Sequence, residues 1–139
     1  MMVFHYGQAI FEGMKAYRTP ENELVLFRPE KNAQRFNKSA VRMAMPEIDE
    51  DLFIEACDKL VRADNVWVPK LEGQSLYLRP FMVASEAHLG LRAANEYWFM
   101  VIASPVAPFF QSISDVPAIS IYATDKYVRA VDGGTGMAK

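Results

Sequence analysis

Cysteine is all but missing from this chain. Cys57 stands alone, so no internal disulfide can close and no thiolate metal cluster can be assembled. Histidine is nearly as scarce: His5 and His88 lie far apart and offer no metal-ligand spacing. Neither sign of charge is in excess, with 15 basic against 17 acidic side chains and a formal net charge of −2. Interspersed and nearly balanced charge gives no electrostatic footing for nucleic acid and no polybasic membrane patch. Long hydrophobic runs are lacking too; none approaches the roughly 20 apolar residues of a membrane-spanning helix. The opening "MMVFHYGQ" has no basic leader and no extended apolar core, so no secretory signal is expected. Together these absences point to a reducing, aqueous compartment and name no function.

What is present suits a globular domain. Hydrophobic residues make up 51% of the 139 positions and charged residues 23%, too apolar for disorder and enough for a real core. No internal repeat or low-complexity tract interrupts the chain.

The expected elements follow from periodicity. "GMKAYRT" alternates, with Met14, Ala16 and Arg18 on one side and Lys15 and Tyr17 on the other, as in a strand. "PENE" has turn chemistry, because Pro20 presets φ and Asn22 tolerates a left-handed backbone. A second strand over Leu24–Arg28 then completes a hairpin. Pro29 suits the first turn of a helix. Ala33, Phe36, Ala40 and Met43 recur at helical spacing, with Arg35 and Lys38 off the main stripe, and Pro46 marks the end. Asp49 is the expected N-cap of a second helix, with Glu50 and Asp51 at the positive end of its dipole. Its apolar face of Leu52, Phe53, Ala56, Cys57, Leu60 and Val61 should run out near Asp64-Asn65. "SLYLRPFMVA" alternates as a strand, and Pro80 places it at an edge or a bulge. "HLGLRAANE" reads as a loop. "YWFMVIAS", Tyr97–Ser104, is continuously apolar, as in a buried central strand. Pro105–Pro117 is rich in turn formers, "AISIYAT" reads as another strand, and "DKYVRA" as a helical turn. The order is that of an α+β fold: an antiparallel sheet with two helices packed on one side, then a linker and one strand of a second domain.

Single residues are ambiguous on their own. Tyr77 and Arg79 are two apart on a strand and share a face, where a phenol and a guanidinium can hold a carboxylate or simply meet solvent. Tyr6 and Phe11 flank a glycine-bounded turn, as pocket walls or as core anchors. Arg35 is a phosphate contact or a solvated helix residue. Cys57, on an apolar helix face, reads as inert core. Lys139 is the last residue. A lysine amine is a nucleophile toward carbonyls only when partly deprotonated, and nothing local in "DGGTGMAK" shows burial. The glycines there read as a hinge, since the run lacks the spacing of a phosphate-binding loop.

Taken together, "HYGQAIFEGMKAYR", "LFRPEKNAQRFNKSAVRMAMP", "SLYLRP", "SPV" and "YVRAVDGGTGMAK" resemble the branched-chain amino acid aminotransferases, pyridoxal-phosphate enzymes of fold type IV. The resemblance runs from Phe4 to Lys139, with the motifs in the family's order. It implies a small domain over 1–104, lacking its first residues, an interdomain linker over 105–117, and the first strand and lysine segment of a truncated large domain over 118–139. It implies that Lys139 forms the internal aldimine with pyridoxal 5'-phosphate and moves the substrate proton, and that Arg35 binds the cofactor phosphate. Phe11 and Tyr77 would wall the side-chain pocket, with Arg79 accepting glutamate beside it. Tyr6, Leu89 and Leu91 would reach the neighbouring subunit's site in a homodimer. Phe109, in the linker loop, stands where many members have tyrosine, so a hydroxyl contact is lost there.

The implied reaction moves an amino group between leucine, isoleucine or valine and 2-oxoglutarate, with 2-oxo acids and glutamate as counterparts. The family continues past the lysine with Gly-Gly-Asn-Tyr and a large domain that pairs the cofactor's pyridine nitrogen. These 139 residues alone are therefore expected to be inactive. The alternatives are a non-catalytic interaction module pairing with full-length subunits, or a fold type IV D-amino acid aminotransferase or aminodeoxychorismate lyase; the Tyr77/Arg79 strand argues against the last two. No membrane or nucleic-acid partner is expected. The location is expected to be cytoplasmic, or mitochondrial where a leader lies upstream.

Overall fold

A computed structural model describes residues 1–108 and 118–139. Its elements are α1 (Val3–Tyr6), β1 (Ala9–Phe11), β2 (Met14–Arg18), β3 (Leu24–Leu26), α2 (Pro29–Arg42), α3 (Glu50–Ala63), β4 (Ser75–Ala84) and β5 (Tyr97–Val106), with a single 3-10 turn at Asn65–Trp67. The expected α+β architecture is present: one antiparallel sheet with α2 and α3 on the same face.

Local chemistry accounts for most boundaries. Asn22 has φ 67°, closing the turn between β2 and β3 as its tolerance of that region predicts. Pro29 occupies the first turn of α2. Asp49 caps α3 by accepting the Leu52 amide at 3.0 Å. Gly7, at φ 64°, ends α1 and turns the chain into β1.

The core lies between the sheet and the two helices. Ile10, Met14, Ala16, Leu76, Leu78 and Met82 supply the sheet side; Ala33, Phe36, Ala40, Phe53, Cys57 and Val61 supply the helix side. Phe36, Phe53 and Phe99 form a triangle with ring centroids 5.3 to 5.9 Å apart, at the tilted and edge-on angles that aromatic quadrupoles favour.

Three expectations need correction. Strand β4, not β5, is central. It pairs with β5 along its whole length on one side, and with β2 and then β1 on the other. Pro80 is tolerated there because β1 ends at Phe11 and β2 begins at Met14, so no regular ladder faces it on that side. Its carbonyl accepts the Glu12 amide at 2.7 Å. Strand β5 lies outside β4. Only Tyr97, Phe99 and Val101 face the core, whereas Trp98 and Ile102 are each 55% exposed. An apolar run reports composition and cannot report which side its neighbours occupy.

Residues 118–139 form no strand and no helical turn. Ile119, Ile121 and Tyr122 are exposed, and extended chain becomes β-structure only against a hydrogen-bonding partner. Two ends also shift: α2 stops at Arg42, before Pro46, and β5 continues through Val106 into the expected linker. Phe109 and the rest of that linker lie outside the described residues.

Candidate active site

The glycine-rich end returns to the domain. Phe11 donates its amide to the Lys139 carbonyl at 2.9 Å, and the Lys139 amide donates to Ser39 Oγ at 3.0 Å. Arg42 Nη2 donates to the carbonyls of Gly133 and Gly134 at 2.7 and 2.9 Å. Lys139 is therefore a docked residue with a side chain 38% exposed, and the reading of a solvated terminus is corrected.

What it docks beside is Glu12, a carboxylate with no exposed surface. Period-two geometry explains its position. Ile10 and Glu12 point under the helices, and Phe11 between them points to the open face of the sheet. A buried carboxylate needs donors, and Glu12 has them. Arg35 donates from Nε to Oε1 at 2.6 Å and from Nη2 to Oε2 at 2.7 Å. Asn32 Nδ2 adds a bond at 2.8 Å and the Gly13 amide one at 3.2 Å. Lys139 Nζ stands 3.6 Å from Oε2. Burial alone would raise the Glu12 pKa; hydrogen bonds from Arg35 and Asn32 and the charges of Lys139 and Arg35 outweigh it, and the net shift is downward. The same pair raises the pKa of Arg35, chiefly through its bond to Glu12.

On the open face of the sheet, Arg79 lies over the Phe11 ring with its guanidinium carbon 4.7 Å from the centroid. Arg79 Nη2 donates to Tyr77 Oη at 3.0 Å. Lys139 Nζ is 5.7 Å from the same Phe11 centroid. Gly13 is a steric necessity here, because a Cβ on it would stand 2.5 Å from Tyr77 Oη.

Lys139, Arg35, Phe11, Tyr77 and Arg79 thus converge. Tyr6, Leu89 and Leu91 form a separate group. Tyr6 Oη donates to the Leu89 carbonyl at 2.6 Å, and the Leu89 and Leu91 side chains are 73% and 90% exposed. Tyr6 and Leu91 line a groove of about 290 Å³ with Gln8, Met43 and Arg92. A cavity of about 600 Å³ on the far side of the hairpin, lined by Tyr17, Arg18 and Lys70, includes none of these residues and has no converging chemistry.

Sequence reasoning missed Glu12, Asn32, Ser39 and Arg42. The signal for Glu12 was its alternation with Ile10, which puts a charge on a buried face. The helix residues sit at spacings of three, four and three along α2, a second stripe beside the apolar one.

No family model matches the chain. Individual relatives do. Branched-chain-amino-acid transaminase 1 of Bacillus subtilis is 50% identical over 137 residues, covering 99% of this chain and 38% of its own length. A probable branched-chain-amino-acid aminotransferase of Streptomyces coelicolor is 55% identical over 139 residues, with the same coverage. Among solved structures, the branched-chain amino acid aminotransferase of Escherichia coli superposes with a TM-score of 0.57 at 28% identity, over 76% of this chain and 33% of that one. A thermophile's branched-chain amino acid aminotransferase with pyridoxamine 5'-phosphate gives 0.67 at 26%, over 82% and 35%. The complex of that enzyme with N-(5'-phosphopyridoxyl)-L-glutamate gives 0.62 at 28%, over 73% and 33%. The chain spans 38% of the length of the two curated relatives described. As a segment of that length, it belongs to the branched-chain amino acid aminotransferase family.

Proposed function

We propose that these residues are the small domain (1–104), linker (105–117) and lysine segment (118–139) of a pyridoxal-phosphate-dependent aminotransferase acting on leucine, isoleucine and valine. The observation that carries this reading is the convergence of Lys139, Arg35 and Arg79 around the adjacent residues Phe11 and Glu12. A reactive amine, a fixed cation and an aromatic wall with a second cation are what a phosphorylated aldehyde cofactor and an amino-acid substrate require.

The donor set fits pyridoxal 5'-phosphate. Arg35 uses Nε and Nη2 on Glu12, and its Nη1 makes no hydrogen bond among the described residues. Its side chain is 53% exposed, so a phosphate ester can approach that remaining edge. The relatives' complexes with pyridoxamine phosphate and a phosphopyridoxyl-glutamate adduct support the assignment. When bound, the cofactor supplies the electron sink that stabilises the carbanion left when a substrate Cα–H bond is broken.

The chain's own residues supply the rest. Lys139 holds the cofactor through its amine and then carries the proton between the substrate α-carbon and the cofactor. Arg35 anchors the phosphate. Phe11 and the Tyr77 ring wall an aliphatic side chain. Arg79, lying on Phe11, offers a charge-assisted hydrogen bond to the distal carboxylate of glutamate or 2-oxoglutarate. Tyr6, Leu89 and Leu91 stand apart from this cluster and suit contacts to a neighbouring subunit's site in a homodimer.

The test joins this segment to the remaining domain and supplies leucine and 2-oxoglutarate. Glutamate and the branched 2-oxo acid should form in equal amounts, and Lys139→Ala should abolish both. Turnover that survives Lys139→Ala would refute the assignment. The 139 residues alone should not transaminate leucine.

A further inference from the structure

The transamination chemistry makes no use of Glu12, yet Glu12 is the most constrained polar side chain in the described structure. It is fully buried, gathers donors from Gly13, Asn32 and Arg35, and has Lys139 as a more distant cation. We infer that Glu12 is a positioning residue: its bidentate grip fixes the plane of the Arg35 guanidinium so that Nη1 faces an incoming phosphate ester, and its second oxygen holds the Lys139 amine beside the same site. The inference rests on the assignment of Arg35 to the cofactor phosphate.

The geometry supports this role over a purely structural one. A core carboxylate needs only its hydrogen bonds satisfied, and the Gly13 amide and Asn32 already serve Oε2. Arg35 instead bridges the two oxygens with parallel bonds of 2.6 and 2.7 Å, an arrangement that removes rotation about the guanidinium. The guanidinium is half exposed, so without this clamp it would sample the many rotamers of a surface arginine. Asn32 stands one helical turn before Arg35 and holds the carboxylate from the other side; Asn32 Nδ2 also approaches the Gly13 carbonyl at 3.3 Å. Ser39, one turn later, donates to the Arg35 carbonyl and accepts the Lys139 amide. A single helix face therefore sets the relative positions of the phosphate anchor and the reactive amine.

The role makes a prediction of unusual sign. A negative charge next to an anion site should weaken anion binding, so by Coulomb's law its removal should tighten binding. Positioning predicts the reverse, because anion binding must then order Arg35.

The experiment follows the Arg35 Nε–Hε resonance of the isotope-labelled chain during addition of pyridoxal 5'-phosphate and, separately, pyridoxal. In the wild type, the ester should shift that resonance saturably and pyridoxal should not. In Glu12→Gln, affinity for the ester should fall about tenfold, the scale of one charge-assisted contact. The affinity ratio between ester and pyridoxal should fall with it, which a general loosening of the fold would not produce. Asn32→Ala removes a donor to Glu12 without touching Arg35 and should lower ester affinity about threefold, the scale of one neutral hydrogen bond. It carries the test if Glu12→Gln fails to fold, as judged by near-ultraviolet circular dichroism. Ester affinity equal to or above wild type in a folded variant overturns the positioning role alone. A wild-type Arg35 that ignores the ester overturns the phosphate assignment, and this inference with it.

Discussion

The ring of Tyr77 covers Gly13 so closely that a Cβ there would lie 2.5 Å from the phenolic oxygen. The two residues come from neighbouring antiparallel strands, near the pairing of Lys15 with Tyr77. The missing side chain lets Tyr77 lie where Arg79 can reach its hydroxyl at 3.0 Å. Gly13→Ala should push the phenol away and break that bond. In the completed enzyme, turnover of leucine relative to glutamate should change about tenfold, since a small displacement at a substrate wall costs on that order. Steady-state kinetics with both donors would check it, and an unchanged ratio would count against Tyr77 as a pocket wall.

The aromatic triangle is the centre of stability. Phe36 has no exposed surface and meets both Phe53 and Phe99. Phe36→Ala should destabilise the fold by about 3–5 kcal/mol, the usual result of removing a core phenylalanine. Urea unfolding would measure this, and a loss below about 1 kcal/mol would mean that the site collapses to fill the cavity.

The loop before β5 is tied down by Glu86. Arg92 Nη1 donates to its Oε2 at 2.9 Å, and the Asn95 amide donates to the same oxygen at 2.7 Å. The Arg92 bond, then the Asn95 bond, lower the Glu86 pKa to about 2 from its ordinary 4.5. A carboxylate with a depressed folded pKa stabilises fully above its unfolded value, and that contribution is lost as pH falls through the folded one. The melting-temperature difference between wild type and Glu86→Gln should therefore be constant above about pH 5 and shrink between about pH 4.5 and pH 2. A difference independent of pH across that range would show that the ion pair contributes nothing.

Cys57 lies in the core, with no exposed surface, and burial pushes its thiol pKa up to about 12. The thiolate is the reactive form, so a disulfide reagent at neutral pH should modify Cys57 only as fast as the fold opens. Addition of urea past the unfolding midpoint should expose it at once. Immediate stoichiometric labelling of the folded chain would contradict this packing.

Much of the fold was legible in the residues. The hairpin around Asn22, the helix begun at Pro29 and the Asp49 cap all depend on contacts within a few positions, where local sterics and hydrogen bonding decide the outcome. Two strands were misplaced for one reason. Pro80 looks like an edge residue because it lacks a donor, but the gap at Glu12-Gly13 that accommodates it comes from distant sequence. Tyr97–Ser104 looks central because it is apolar, while its place outside β4 depends on which strands compete for β4's other side.

The candidate site divides the same way. The sequence by itself determined which chemical groups were available: an amine at Lys139, cations at Arg35 and Arg79, aromatic walls at Phe11 and Tyr77, and the motif order that links them to a family. Only the tertiary structure decided that Lys139 and Arg35 share one buried carboxylate, and that Ser39 and Arg42 hold the lysine segment against α2. A carboxylate on a buried strand face must find donors, and its donors here come from a helix some 20 residues away and from a lysine at the far end of the chain. Side-chain identity is written locally, but the balance of burial against pairing that sets an ionisable group's role exists only once the chain has folded back on itself.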